Sequence, residues 1–220
     1  MGKGIPYRNG EGFPDPTPWM AMNNINEMEQ LKRRAQGAVS RRSGQIFEEM
    51  IERSLMWYED EGLMVVKKTP EPMKPIRPMN KAGQFVACYT KAAQVDFSGT
   101  LSGGRAIRFE AKQTDTTRFT RDRLTQEQIE DLTAHEILGA YCCVMICFGF
   151  DHFYRIPWTI WLNMKAAFGR QYITEKDVEM FRLPYEGGVI KLLADTKEEK
   201  ISETPLTPRD VIPPDRRLRW

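Results

Sequence analysis

Apolar and polar positions divide the chain into a short series of elements. Between Ser43 and Asp60, the residues Ile46, Phe47, Met50, Ile51, Ser54 and Tyr58 recur at helical intervals, and Ser43 suits the N-cap of that helix. A separate helical stretch precedes it at about residues 24–36. Leu63–Lys68 reads as a strand, and Gln94–Phe97 and Ile107–Lys112 as two more. Residues 98–104, rich in Ser and Gly, suit the turn of a hairpin between the last two. Thr125 and Gln128 have the spacing of a capping box for a helix carrying Ile129, Leu132, Ile137 and Leu138, closed by Gly139. Tyr141–Phe150 is apolar without interruption, the pattern of a strand buried on both faces, with Phe153–Ile156 as its neighbour. Pro157-Trp158 opens a short helix, and Thr174 with Asp177 caps one more through Phe181. This succession predicts an α/β fold, a central mixed sheet flanked by helices.

Breakers mark what lies outside that core. Residues 1–22 hold Gly or Pro at eight positions and predict a flexible N-terminal arm. Pro70, Pro72, Pro75 and Pro78 exclude a helix or central strand, so residues 69–93 read as an insertion between the first strand and the hairpin. Residues 196–220 combine charge and proline and predict a disordered basic tail, which leaves one domain over residues 23–195.

Composition narrows the chemistry. With 41% hydrophobic and 28% charged residues among 220, the chain reads as soluble, and no apolar run approaches membrane-spanning length. Met1–Pro6 has neither the pattern of a signal peptide nor that of a myristoylation site, so a cytoplasmic protein is expected. Of four cysteines, Cys142, Cys143 and Cys147 fall in the apolar 141–150 run without metal-ligand pairing, the pattern of buried thiols. Two histidines, His135 and His152, offer little to a zinc or histidine mechanism. Net charge is only +2, yet Lys32, Arg33, Arg34, Arg41 and Arg42 cluster without an acid among them. Such clustering suits phosphate neutralisation, against the plainer reading of a solvated helix face.

The candidate chemistry sits on the hairpin. Strand alternation sends Arg108, Glu110 and Lys112 to one face and Ile107, Phe109 and Ala111 to the other, while the hairpin brings Asp96 near Glu110. Two close carboxylates repel, and a hard divalent cation bound through oxygen neutralises them. Magnesium fits best, with manganese as a substitute. A cation there polarises a phosphoryl oxygen, and the Lys112 ammonium is placed to orient an attacking water. Glu198-Glu199-Lys200 and Asp195-Thr196-Lys197 repeat the spacing but lack the strand context. A surface hairpin with a cross-strand ion pair has the same spacing too.

These residues resemble a known family. Asp96 followed by Phe-Ser-Gly, and Phe109-Glu110-Ala111-Lys112-Gln113-Thr114, are similar to the Asp-Tyr-Asn-Gly and Phe-Glu-Ala-Lys-Glu-Thr segments of RecU-type Holliday junction resolvases, members of the PD-(D/E)xK nuclease superfamily. The likeness extends to Gly44–Glu49, to Val66–Pro70 and to Glu127-Gln128-Ile129, in order, across about residues 40–157. It departs at Gln113 and Val95 and is lost toward the C-terminus.

The resemblance implies a restriction-endonuclease-like core acting as a homodimer on four-way DNA junctions, leaving 5′-phosphate and 3′-hydroxyl ends. It implies Asp96, Glu110 and Glu48 as metal ligands, Lys112 as the residue positioning water, and Gln128 near the scissile phosphate. Helical periodicity alone leaves Glu48 and Glu49 as alternatives, and a capping box alone accounts for Gln128. The 69–93 insertion would be a stalk that engages the junction. Expected DNA contacts are Arg33, Arg34, Arg41, Arg42, Lys67, Lys68, Lys74, Arg77, Lys81, Arg118 and Arg121. The alternatives are another nuclease of the superfamily, restriction-like, flap or exonucleolytic, and a non-catalytic DNA-binding protein of the same fold.

Overall fold

A computed structural model of the chain describes residues 18–80, 83–90 and 94–194, with side chains from Met28 onward. The chain opens with α1 (Pro18–Asp60) and β1 (Met64–Lys68), forms a ribbon of β2 (Met73–Pro78) and β3 (Phe85–Tyr89), and continues into β4 (Phe97–Leu101), β5 (Ala106–Thr114) and the short β6 (Phe119–Thr120). Next come α2 (Gln126–Ile137), β7 (Tyr141–Phe148), β8 (His152–Pro157), α3 (Trp158–Leu162), α4 (Met164–Phe168) and β9 (Tyr172–Ile173). α5 (Glu175–Val178), β10 (Arg182–Leu183), β11 (Tyr185–Glu186) and β12 (Val189–Ile190) complete it. Among the described residues no helix is long and apolar enough to cross a membrane.

Two compact units divide the chain, residues 1–42 and 43–220. In the first, the side chains from Met28 to Arg42 are exposed apart from the half-buried Gly37, and Arg33 pairs with Glu29 at 3.8 Å. The second is built on a six-stranded sheet in the order β1-β4-β5-β7-β8-β10, in which only β5 and β7 are parallel. A mixed sheet with helices on both faces is therefore the fold, as the element succession predicts. β7 divides its side chains between two apolar layers: Cys143, Met145 and Cys147 pack with Phe47 and Ile51 of α1, while Cys142, Val144 and Ile146 pack with Leu132 of α2 and Trp158 of α3. Full burial of each such side chain contributes about 1.5–3 kcal/mol. Burial also raises the thiol pKa of Cys142 and Cys147, so both stay protonated and inert.

Several boundaries differ from those predicted. The stretch at 24–36 and the helix expected to start at Ser43 are one continuous α1, and Ser43 lies inside it, 8% exposed. Isolated Gly37 and Gly44 cost about 1 kcal/mol each in a helix, too little to break one that has no proline after Pro18. The expected strand 94–97 starts only at Phe97 and runs through the supposed turn to Leu101. Gly99 permits this: a Cβ there would lie 2.1 Å from the Val65 carbonyl oxygen, so a glycine is what lets β1 pair against β4. The apolar 141–150 strand ends at Phe148, because Gly149 and Phe150 both take positive φ, of 60° and 66°, to turn into β8. The prolines of residues 69–78 do not prevent pairing. Pro75 and Pro78 sit in a two-stranded ribbon of edge strands, with a bulge between Pro75 and Arg77, and Pro70 and Pro72 precede it.

Candidate active site

β4 and β5 run antiparallel with Phe97 opposite Phe109, and one further step in that register sets Asp96 opposite Glu110. Each carboxylate accepts a backbone N–H from the other strand. Glu110 Oε2 accepts the Asp96 N–H at 3.2 Å, and Asp96 Oδ2 accepts the Ala111 N–H at 2.9 Å. On the other side the Thr69 N–H donates to the Asp96 carbonyl at 2.8 Å, carrying the β1–β4 ladder past the end of β1. Asp96 is thus fixed by both neighbouring strands.

Lys112, two residues beyond Glu110, turns back to donate to Glu110 Oε1 and stands 3.7 Å from Asp96 Oδ2. The face carrying Glu110 is covered by α2 and not open to solvent, so Glu110 is fully buried. Gln128 explains how: its Oε1 accepts the Thr125 N–H at 2.9 Å, its own N–H donates to Thr125 Oγ1 at 3.3 Å, and its Nε2 donates to Glu110 Oε1. The capping role and the site role, alternatives in the sequence, are filled by one side chain at once. One turn further along α2, Asp131 accepts two bonds from Arg108, at 3.0 and 3.1 Å, fixing the helix to the strand.

Burial dominates the electrostatics. It pushes the Glu110 carboxyl up to about 8; the Lys112 charge opposes the shift and Asp96 adds to it. Burial by itself would lower the Lys112 pKa, but Glu110 and Asp96 outweigh it and the ammonium is held charged. An ammonium therefore stands between the Asp96 carboxylate and a Glu110 carboxyl that burial inclines to keep its proton.

Glu48 reaches the same region from α1. With Lys68, Glu71, Tyr89 and Asp96 it lines a cavity of about 300 Å³ at the root of the β2–β3 ribbon. Lys68 pairs with Glu48 at 2.6 Å, which favours its charged form. Glu49 is exposed, and of the two alternatives it is Glu48 that borders the cavity with Asp96. Among the described residues no group of three His, Cys, Asp or Glu side chains stands arranged to hold a metal. Asp96 and Glu110 nonetheless fit a hard cation, since their donors are all carboxylate oxygens, and Glu48 borders the cavity that Asp96 lines.

The expected DNA contacts scatter. Lys67 pairs with Glu59 and Lys68 with Glu48; Lys74 and Arg77 are exposed on β2, and Lys81 lies outside the described residues. Arg118 and Arg121 follow the end of β5. Arg33, Arg34, Arg41 and Arg42 are exposed on α1 within the first unit. The bond from Gln128 to Glu110 and the pairing of Arg108 with Asp131 carry no local signal beyond their spacing on α2.

A strand-borne carboxylate pair with an ammonium beside it, and a third carboxylate on the cavity that Asp96 lines, has the donor chemistry that metal-assisted hydrolysis uses. The model of the RecU family, recombination protein U, matches residues 42–190, and the chain belongs to that family. Among its relatives, the Holliday junction resolvase RecU of Bacillus pumilus is 30% identical over 183 residues, covering 79% of this chain and 83% of that protein. The Holliday junction resolvase RecU of Lactobacillus delbrueckii subsp. bulgaricus is 27% identical over 176 residues, covering 71% and 83%. A solved structure of Archaeoglobus fulgidus Hjc, a Holliday junction resolvase from an archaeal hyperthermophile, overlays with 14% identity and a TM-score of 0.37, covering 59% of this chain and 90% of that one. That likeness is too loose to bear on the argument.

Proposed function

We propose that the chain is a divalent-metal-dependent endonuclease that resolves four-way DNA junctions, working as a homodimer in the bacterial cytoplasm. Membership of the RecU family supports the substrate class. The observation that carries the chemistry is the reciprocal clasp of Asp96 and Glu110 with Lys112 held between them. Magnesium is the cation this oxygen-only donor set suits, with manganese as a substitute. When bound, it supplies Lewis acidity toward the scissile phosphodiester.

Asp96 and Glu110 would hold that cation, and Glu48, paired with Lys68 on the cavity that Asp96 lines, would be the third carboxylate available to it. Lys112 keeps its proton through its carboxylate neighbours and orients a water by hydrogen bonding. The water oxygen attacks phosphorus, the bond from phosphorus to the 3′ oxygen breaks, and a 5′-phosphate and 3′-hydroxyl result. Gln128 holds Glu110 in place from the cap of α2. The exposed ribbon, rooted at the cavity that contains Asp96, supplies reach toward the junction centre. A junction with two-fold symmetry is cut on two opposing strands, which a symmetric dimer matches.

The test compares a four-way junction with matched linear and flap DNA in magnesium, with and without EDTA. Paired nicks in the junction alone, lost on chelation, are expected. Equal cutting of linear DNA would favour the restriction-like alternative, and cleavage that survives EDTA would overturn the metal mechanism.

A further inference from the structure

β6 and β9 are separated by about fifty residues of sequence yet pair antiparallel, Phe119 with Ile173 and Thr120 with Tyr172. This small ladder gathers arginines onto two aromatic rings. The Arg118 guanidinium lies 5.0 Å and that of Arg170 4.8 Å from the centre of the Tyr172 ring, and Arg123 stands 5.3 Å from that of Phe119. We infer that Tyr172, held by Arg170, is the seat that positions Arg118, so that Arg118, Arg121 and Arg123 form a binding site for the phosphodiester backbone of DNA beside the catalytic strand. The inference rests on the reading of the protein as a DNA nuclease.

A second arginine–tyrosine cluster in the same protein shows what distinguishes this one. Arg105 and Arg155 lie 5.5 and 5.4 Å from the Tyr141 ring, but both spend their donors on backbone carbonyls, Arg105 on Gly139 and Ala140, Arg155 on Leu192 and Ala194. That cluster ties segments together. At Tyr172 the labour is divided. Arg170 is consumed in the same way, donating to Phe168 O at 3.1 Å and Asp177 Oδ2 at 2.5 Å, and the Asp177 carboxylate also accepts the N–H and hydroxyl of Thr174. Arg118 is exposed and makes no hydrogen bond through its side chain to any described residue.

Its neighbours add to the site. Arg121, like Arg155 and Arg170, keeps a buried Nε without a hydrogen-bond partner, and no acid among the described residues forms an ion pair with Arg118, Arg121 or Arg123. Three guanidiniums lie in a six-residue run whose one acid, Asp122, forms an ion pair with none of them, so the run carries a net positive charge that an anion would complement. The place of the site relative to the chemistry is set by Arg123, whose guanidinium donates to the carbonyl of Gln113 at 3.4 Å. Gln113 directly follows Lys112, so an extended backbone lying across β6 continues toward the reacting phosphate. Stacking on Tyr172 keeps the Arg118 fork oriented and lowers the entropy lost when it grips a phosphate.

The test is affinity for a short DNA duplex and for a four-way junction, measured in calcium by gel shift at several salt concentrations, on the full chain. Arg118→Gln should lower affinity several-fold and reduce the slope of log affinity against log salt by about 0.9 on duplex DNA. Tyr172→Ala should match that loss, Tyr172→Phe should restore wild-type binding, and Tyr172→Ala added to Arg118→Gln should cost nothing more. Arg53→Gln, an exposed change on α1, controls for loss of charge elsewhere. Circular dichroism checks folding, and Arg118→Gln, which leaves the Thr174–Asp177 cap untouched, keeps the test decisive if Tyr172→Ala misfolds. An unchanged slope in Arg118→Gln, or equal losses for Tyr172→Phe and Tyr172→Ala, overturns the site while the nuclease reading stands. Absence of any DNA binding by the wild type overturns both.

Discussion

The β4–β5 pair and the β2–β3 ribbon are both antiparallel hairpins, and they differ in what holds them. Strand β5 lies between β4 and β7 and under α2, and its Glu110 has no exposed surface. Strand β2 is exposed along its whole length, pairs only with β3, and presents Ile76, Met79 and, across the ribbon, Phe85 to solvent. Hydrolysis requires charges fixed to within a fraction of an ångström, which a packed sheet supplies. Recognition of a branched substrate requires reach and apolar contact surface, which a packed sheet cannot offer.

Breaking the packed hairpin should have the largest effect. Asp96→Asn removes a charge while keeping shape, so nicking is expected to fall to background with junction affinity nearly unchanged; wild-type cleavage by this variant would remove Asp96 from the site. The ribbon should fail in the opposite sense. Replacing Pro72–Gln84 with a short Gly/Ser linker should weaken junction binding far more than duplex binding at one salt concentration, in a protein that still folds. Equal losses on the two substrates would make the ribbon a general DNA contact.

A smaller effect sharpens the role of burial. With its carboxyl raised to about 8, Glu110 in the chelated protein binds a proton that the unfolded chain has released, so stability should fall as pH rises from about 4.5 toward 8. Thermal melts in EDTA should show that slope, and Glu110→Gln should flatten it. Gln128→Ala keeps the N-cap bond to Thr125 Oγ1, which uses its backbone N–H, but loses the reciprocal bond to the Thr125 N–H and the bond to Glu110, at a cost of about 1 kcal/mol or more, measurable by urea unfolding. Gln128→Glu keeps the capping box but sets a charge against Glu110, so a slower nicking rate at wild-type stability would separate the two roles. Least of all, Lys67→Ala should change stability by about 0–1 kcal/mol, since Lys67 is exposed and its partner Glu59 only half-buried.

Much of this contrast is legible in the residues. The apolar run through β7, the capping box at Thr125 and the Asp96, Glu110, Lys112 set each state a local rule, and each stands where that rule puts it. The turn of the hairpin was not legible, because Gly99 reads as a turn former until β1 is laid 2.1 Å from where its Cβ would be. Nor could the pattern show that Glu110 is buried, since strand alternation assigns a face without saying which helix covers it. Tyr172 and Arg170 escaped for the same reason: they meet Arg118 only through a ladder between distant segments.

The parallel pairing of β5 with β7 also sets a schedule. Glu110 lies opposite Val144, and the helix that covers it is spelled out between the two strands. α1 in turn is closed by the last described residues, since Ser54 Oγ accepts the N–H of Ile190 and the Tyr58 hydroxyl that of Leu193. Contacts this far apart form slowly and only after the intervening chain exists. On the ribosome, Asp96 and Glu110 would therefore emerge long before they are locked, and a nascent or truncated chain carries both carboxylates without the enclosure that fixes them.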